Sequence, residues 1–280
     1  MGTLFYSIGI ASQCRDAKLE PMSNLYGLPP EIDVKAEGGL RIITLNRPDE
    51  MNASTSEMLL AYPKLYSGLA EDQDAHVAIL TGAGKAFSAG GDFNHFVKTL
   101  DDPAFAAQVQ ENQRRTIHGI IDVPIPMIAA VNGPAVGWGA TLSTLCDIVL
   151  MSDKSFMAEP HINIGLLVGD GISVSWPLYT SLLKAKELIF TGDRITPQMA
   201  VECGLANRVV PHDQLMDEAR ALADKLLAQP RNALRETKKV MNLYLHNAAA
   251  QVLDTLLARQ LTATISQEHH DLANAFLKRN

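Results

Sequence analysis

Met127 to Leu150, MIAAVNGPAVGWGATLSTLCDIVL, is the stretch on which the reading of the whole chain turns. Met127 to Val131 is apolar without alternation, as in a strand covered on both faces, and Asn132-Gly133-Pro134 breaks it. Gly137 and Gly139 flank Trp138 where a helix of small residues must begin, and a second strand closes the stretch. The first N–H groups of that helix have no intrahelical partner and lie at the positive end of its dipole, so the corner can hold an anion. Read alone, it is no more than a tight connection that lets a strand meet a helix closely.

A second turn upstream changes the weight of that corner. Lys85 to Asp92 (KAFSAGGD) also follows an apolar strand, Val77 to Leu80, and also offers free N–H groups around Ala89 and Gly90. Two backbone donors from separate turns can converge on one oxygen. That is the requirement for receiving an oxyanion.

Composition limits the remaining classes. The 280 residues, 47% of them hydrophobic, suffice for one large α/β domain with a smaller appendage. A net charge of −7, with no basic run interleaved with aromatics, argues against a nucleic-acid surface. Cys14, Cys146 and Cys203 are odd in number and never paired as CxxC, so neither a disulfide frame nor a zinc knuckle is indicated, and a cytoplasmic protein is expected. No segment approaches the ~20 apolar residues of a membrane helix, and no metal or prosthetic group is expected.

Three regions are expected. Residues 1–30 form an extension ending in Leu28-Pro29-Pro30, residues 31–211 the α/β core, and residues 212–280 a helical unit. Within the core, Gly38-Gly39 turns a hairpin, Ser54 and Glu57 form a capping box before a helix through Leu69, and Ala104 to Ile121 is a second helix. Phe93 to Leu100 reads as a short helix. The helical unit comprises Leu215 to Gln229, Ala233 to Leu245 and Ala248 to Arg279. Gly84-Lys85 is no P-loop, because Ile79 stands where the first glycine belongs and Ala86 follows the lysine. Glu268-His269-His270-Asp271 reads as a solvated helix face rather than a metal site, since adjacent helical residues point in different directions.

An ordered set of motifs resembles the crotonase (enoyl-CoA hydratase/isomerase) superfamily. They are Leu45-Asn46-Arg47-Pro48 with Asn52-Ala53, Ala86-Phe87-Ser88-Ala89-Gly90-Gly91-Asp92, Ile128-Ala129-Ala130-Val131-Asn132-Gly133, Cys146-Asp147, Thr191-Gly192-Asp193-Arg194, Gly204-Leu205 and Ala275-Phe276-Leu277-Lys278-Arg279. The resemblance implies a spiral of ββα units with a C-terminal all-helical oligomerisation region, assembled as homotrimers or pairs of trimers. It puts the two oxyanion-binding amides on Ala89 and Trp138. It also puts coenzyme A, as part of a thioester substrate, against Arg47, Ala53, Ala89, Gly90 and Asp92, with Lys278 near the phosphates.

The chain departs from that pattern where the family's hydratases carry two glutamates. The first position is Thr141, which cannot take a proton at neutral pH, and the second is His161 in Glu159-Pro160-His161. Glu159 lies two residues away and joins Thr141 and Trp138 as a candidate lining of the substrate pocket. Asp170, between Gly169 and Gly171, is a candidate partner that fixes the tautomer of His161 and leaves its other nitrogen to take a proton from water; the bland reading makes Asp170 a turn former and His161 a loop residue. The run Pro160-His161, Gly165, Gly169-Asp170-Gly171 and Trp176-Pro177 is similar to the 6-oxocamphor hydrolase branch, which cleaves β-diketones. There the corresponding His and Asp act as a pair, and another His stands where this chain has Trp138.

Three functions are open at this point. In the first, Ala89 and Trp138 stabilise a thioester enolate or oxyanion while His161 and Asp170 activate water, so that the enzyme is a lyase (hydratase) or a C–C bond hydrolase acting on acyl-CoA. In the second, a CoA-independent hydrolase opens a β-diketone. In the third, the fold binds a ligand without turnover.

Overall fold

The computed structural model describes residues 25–92, 97–99 and 102–277, with 276 and 277 described by backbone alone. The expected short helix after Asp92 falls mostly, and Lys278 entirely, outside these residues. The main sheet has six strands in the order β1-β2-β3-β4-β6-β8. These are β1 (Ile32–Glu37), β2 (Leu40–Leu45), β3 (Val77–Gly82), β4 (Met127–Val131), β6 (Ile148–Ser152) and β8 (Arg208–Val210). Only the β1–β2 hairpin is antiparallel; the other four pairings are parallel. A second sheet of two parallel strands, β5 (Pro134–Val136) and β7 (Phe156–Ala158), stands beside it. The expected break after β4 falls at Asn132 and Gly133, and Pro134 already begins β5.

Apolar strands without alternation are explained by what covers them. Ile42, Ile79, Ile128 and Leu150 point to one face of the sheet, where Leu215, Ala219 and Ala223 of α7 (Leu215–Leu227) meet them. Ile43, Leu80, Ala129 and Met151 point to the other face and join the larger core. That core takes in α1 (Ser56–Glu71), α2 (Pro103–Asp122), α3 (Trp138–Thr144), α4 (Ile172–Tyr179) and α5 (Leu182–Thr191). After the short α6 (Pro197–Glu202) come β8, α7 and α8 (Arg231–Met241). The chain finishes in α9 (Leu243–Thr264) and α10 (Gln267–Leu277).

The expected domain borders do not coincide with separate cores. Leu28, before residue 31, is buried with the main cluster, as are Leu245, Ala249, Leu253 and Leu257 of α9. Lys238 of α8 reaches Asp147 at 2.6 Å and the Ile125 carbonyl at 2.8 Å, while Asp147 accepts the Met127 N–H. The last expected helix is also split, because the chain breaks at Ile265 and Ser266 between α9 and α10.

The cap of α1 corrects another expectation. Thr55, not Ser54, is the N-cap, its hydroxyl accepting the Met58 N–H. Ser54 is fully buried and exchanges a hydrogen bond with the Tyr62 hydroxyl at 2.8 Å. Ser54 carries an oxygen able to accept as a cap, but a tertiary partner claims its side chain.

Candidate active site

Two loops and one helix start meet beyond the C-terminal ends of the interior strands β2, β3 and β4. The first loop, Arg47 to Ser54, passes through a left-handed backbone at Met51 (φ 53°) and Asn52 (φ 54°), uncommon for residues with a side chain. Fully buried Asn52 explains how this is held. Its Oδ1 accepts the Arg47 N–H, and its Nδ2 donates to the Ala83 and Ala86 carbonyls at 2.8 Å each. Asn132 fixes the same turn from β4, donating to the Gly84 and Ala86 carbonyls and accepting the Gly82 N–H. Both asparagines belong to the quoted motifs, but their clamping role is set by residues 30 to 50 positions away.

The glycine-rich turn after β3 then runs beside β5. Ser88 N–H donates to the Pro134 carbonyl, and Val136 N–H donates to the Ser88 carbonyl. A Cβ on Gly139 would lie 2.5 Å from the Ser88 carbonyl oxygen, and one on Gly90 (φ 99°) 2.9 Å from the Val136 carbonyl oxygen. Only glycine allows these two turns to approach so closely. The two turns named from the sequence lie directly against each other.

The two expected donors are in different states. The Ala89 N–H is donated to the Met51 carbonyl at 2.9 Å, so it is engaged rather than free. The reason is the left-handed first loop, which aims that carbonyl at the turn. Trp138, the first residue of α3, lies at the position where helix geometry leaves its N–H without an intrahelical acceptor. Its indole is 4% exposed and packs on Tyr62 with ring centroids 5.9 Å apart, so the side chain anchors α3 against α1.

Arg47, Ala53 and Asp92, expected to contact coenzyme A, are brought together. Arg47 Nη1 donates to the Ala53 carbonyl and to Asp92 Oδ2 at 3.0 Å, tying the first loop to the end of the second.

The acid–base residues gather on the other side of α3. Gly137 precedes the helix in a left-handed conformation (φ 51°), and a Cβ there would sit 3.3 Å from His161 Cε1 and 3.9 Å from Asp170 Oδ2. The side-chain donor atoms of Glu159, His161 and Asp170 lie within 4.8 Å of one another. His161 pairs with Glu159 rather than with Asp170. Its Nδ1 makes a short hydrogen bond to Glu159 Oε1, and its backbone N–H donates to the same oxygen at 3.2 Å. Local chain direction decides this, since the 3₁₀ turn at His161–Ile164 folds the imidazole back over the residue two positions before it.

Asp170 occupies an unusual environment. It is 1% exposed, and neither carboxylate oxygen has a hydrogen bond from a described residue. Burial pushes its carboxyl up and the Glu159 charge pushes it further; with His161 opposing, it rests at about 7. The Thr141 hydroxyl and the Ile172 N–H lower it only slightly, and neither forms a hydrogen bond of ordinary geometry with it. Burial alone would lower His161, but the Glu159 carboxylate, reinforced by Asp170, raises it to about 9. At neutral pH the cluster therefore favours a His161 imidazolium, with the Asp170 carboxyl held well above the usual carboxylate range.

One histidine-plus-carboxylate set of this size can hold a divalent cation. Here Nδ1 and Oε1 are hydrogen-bonded directly to each other. Thr141 is fully buried beside Asp170, with its methyl toward Gly171. It supplies no carboxylate to the helix side of the site. The expectation of a solvated face at Glu268 to Asp271 fails at His269, which is 1% exposed and whose Nδ1 lies 2.6 Å from the Ile164 carbonyl.

Comparison with known proteins gives one consistent picture. A family model described as Enoyl-CoA hydratase/isomerase matches residues 35–279. A protein from Mycobacterium bovis named as a probable enoyl-CoA hydratase is 32% identical over 248 residues, covering 88% of this chain and 94% of its own. The crystal structure of an enoyl-CoA hydratase/isomerase from Mycobacterium paratuberculosis superposes with a TM-score of 0.87 at 42% identity, over 89% of this chain and 100% of that one. A β-diketone hydrolase from the cyanobacterium Anabaena, bound to (S)-3-oxocyclohexyl acetic acid, superposes with a TM-score of 0.78 at 26% identity, over 84% of this chain and 94% of that one.

Proposed function

Because the chain belongs to the enoyl-CoA hydratase/isomerase family, we propose that it adds water to a carbonyl-activated acyl-CoA, with Asp170 as the group that takes and returns the proton. The observation that carries this reading is a buried carboxyl with no hydrogen bond from a described residue, clustered with the hydrogen-bonded His161–Glu159 pair. A group poised near the working pH transfers protons most effectively in both directions. The imidazolium of His161 contributes positive charge where an anion forms.

The chemistry follows from these placements. Asp170 takes a proton from water as the water oxygen bonds to an electrophilic carbon of the substrate. The displaced electron pair moves onto the substrate carbonyl oxygen, where the Trp138 N–H receives it. Ala89 contributes when the arriving oxygen replaces the Met51 carbonyl as partner of its N–H. The proton then returns to the carbon that carried the enolate charge. Arg47, Ala53 and Asp92, joined as one corner, support a thioester with a nucleotide handle, and Lys278 completes the proposed coenzyme A contacts.

The same side chains support a second reading, hydrolysis of a C–C bond in a β-diketone. Thr141 at the position of a family glutamate favours it, as does the likeness to a β-diketone hydrolase. Water then attacks a ketone, the bond to the intervening carbon breaks, and the resulting enolate takes the proton. Products formed from an enoyl-CoA and from a cyclic β-diketone separate the two readings. General acid–base groups contribute about 10²- to 10⁴-fold, so Asp170→Asn is expected to lower kcat by at least about 100-fold on the true substrate. Activity retained in Asp170→Asn would overturn the assignment.

A further inference from the structure

We infer that the two C-terminal helices set the geometry of the acid–base cluster, with His269 of α10 and Gln260 of α9 as positioning residues. This rests on the role given above to His161 and Asp170. The observations are contacts on both halves of the cluster. His269 is buried, and its Nδ1–H donates to the Ile164 carbonyl at the end of the 3₁₀ turn that begins with His161. The residue after that carbonyl, Gly165 (φ 67°), lies against the same helix, and a Cβ there would be 3.3 Å from His269 Cα and 3.1 Å from Leu272 Cδ1. The turn is closed internally by Asn163 N–H to the Pro160 carbonyl and by Leu166 N–H to the His161 carbonyl, so it moves as a unit with the imidazole.

Asp170 is backed from the neighbouring helix. The preceding residue, Gly169, is pressed against the Gln260 side chain so closely that a Cβ would fall 2.0 Å from Gln260 Oε1. Gln260 is 7% exposed, its Oε1 has no hydrogen-bond partner among the described residues, and its amide packs against Gly169. On the other flank, Gly171 meets Ile117 and Thr141. Asp170 thus has α9 on one side and α2 with α3 on the other.

The charged and titratable groups facing His161 are Glu159 and Asp170, with His269 farther off; burial keeps the His269 imidazole below its ordinary value, so it stays neutral and holds the donor tautomer. Neutral His269 also adds no repulsive charge to the His161 imidazolium. Releasing the turn would let the imidazole move away from Glu159 toward solvent.

The test reads His161 directly. In the full chain labelled with ¹⁵N-histidine, the His161 imidazole is titrated by NMR in the native protein and in His269→Phe and His269→Asn. His269→Phe is expected to move the titration toward that of a free histidine and to lower kcat by about 10- to 100-fold with KM changed less than about twofold, as for a misplacement of an ångström or less. His269→Asn keeps a short N–H donor and restores most of both. A second arm needs no histidine change. Gly169→Ala is expected to lower kcat by about 10-fold or more, and adding Gln260→Ala to make room for the new methyl recovers it. An unchanged titration and kcat in His269→Phe, or a Gly169→Ala loss that Gln260→Ala does not relieve, overturns the inference. The titration uses no substrate, so a shift in His269→Phe with no turnover of thioester or diketone would sink the proposed reaction and leave the positioning role standing.

Discussion

Asp170 shows how burial converts a carboxylate into a proton carrier. A carboxyl in water would be ionised throughout the neutral range, but here no donor compensates the lost hydration. With Asp170 at about 7 and His161 at about 9, kcat/KM is expected to rise as Asp170 ionises and to fall as His161 loses its proton. A bell-shaped profile with limbs near those values checks this, read as properties of the coupled cluster. Stability should move the other way. The folded state holds the Asp170 proton above its ordinary value of 3.8, so its contribution falls as pH rises from about 4 to 7. The His161 contribution is complete below its ordinary value of 6.5 and is lost as pH rises through about 9. Asp170→Asn removes the first change, and thermal melts should show it more stable than the native chain at pH 8, at about 2 to 4 °C in Tm per kcal/mol. Equal melting curves for the two proteins across that range would mean the carboxyl is better solvated than its burial indicates.

At the scale of elements, the decisive contact is the start of α3 against the turn after β3. Helix α3 spans only Trp138–Thr144 and would be marginal alone; it is held because all seven residues are buried. Gly139→Ala places a methyl 2.5 Å from the Ser88 carbonyl oxygen, and backbone cannot yield as a flexible side chain can. The expected outcome is loss of most activity and a destabilisation of about 1 to 3 kcal/mol from overpacking. The cap of α1 makes a contrasting case. Thr55→Ala should cost about 1 kcal/mol in denaturant unfolding with kcat nearly unchanged, because Thr55 touches only the first turn of its own helix.

On the scale of the whole molecule, the C-terminal helices are part of the same core as the sheet. Lys238 is 7% exposed in its side chain and pairs with Asp147, at the start of the strand that follows α3. Lys238→Met leaves Asp147 partly buried with one partner fewer and should destabilise by about 2 kcal/mol; adding Asp147→Asn should recover part of that loss. A double-mutant cycle in urea measures the coupling. A chain ended before α9 would expose Leu245, Leu253 and Leu257 together with the surfaces of α2 and α4 that they cover. It should fail to fold cooperatively, as followed by loss of a single unfolding transition.

The sequence by itself determined buried strands covered on both faces, the two glycine turns, and the absence of a carboxylate at Thr141. These are local facts: uninterrupted apolar runs demand cover on both faces, and positions that exclude a Cβ demand glycine. Only the tertiary structure decided that Glu159 rather than Asp170 pairs with His161, that the Met51 carbonyl engages the Ala89 N–H, and that His269 is buried against the turn carrying His161. Each of those depends on where a polar atom finds its partner after distant segments have packed. Hydrogen bonds reach about 3 Å, and nothing in the spacing of residues along a chain reports which of several nearby donors and acceptors falls within that distance.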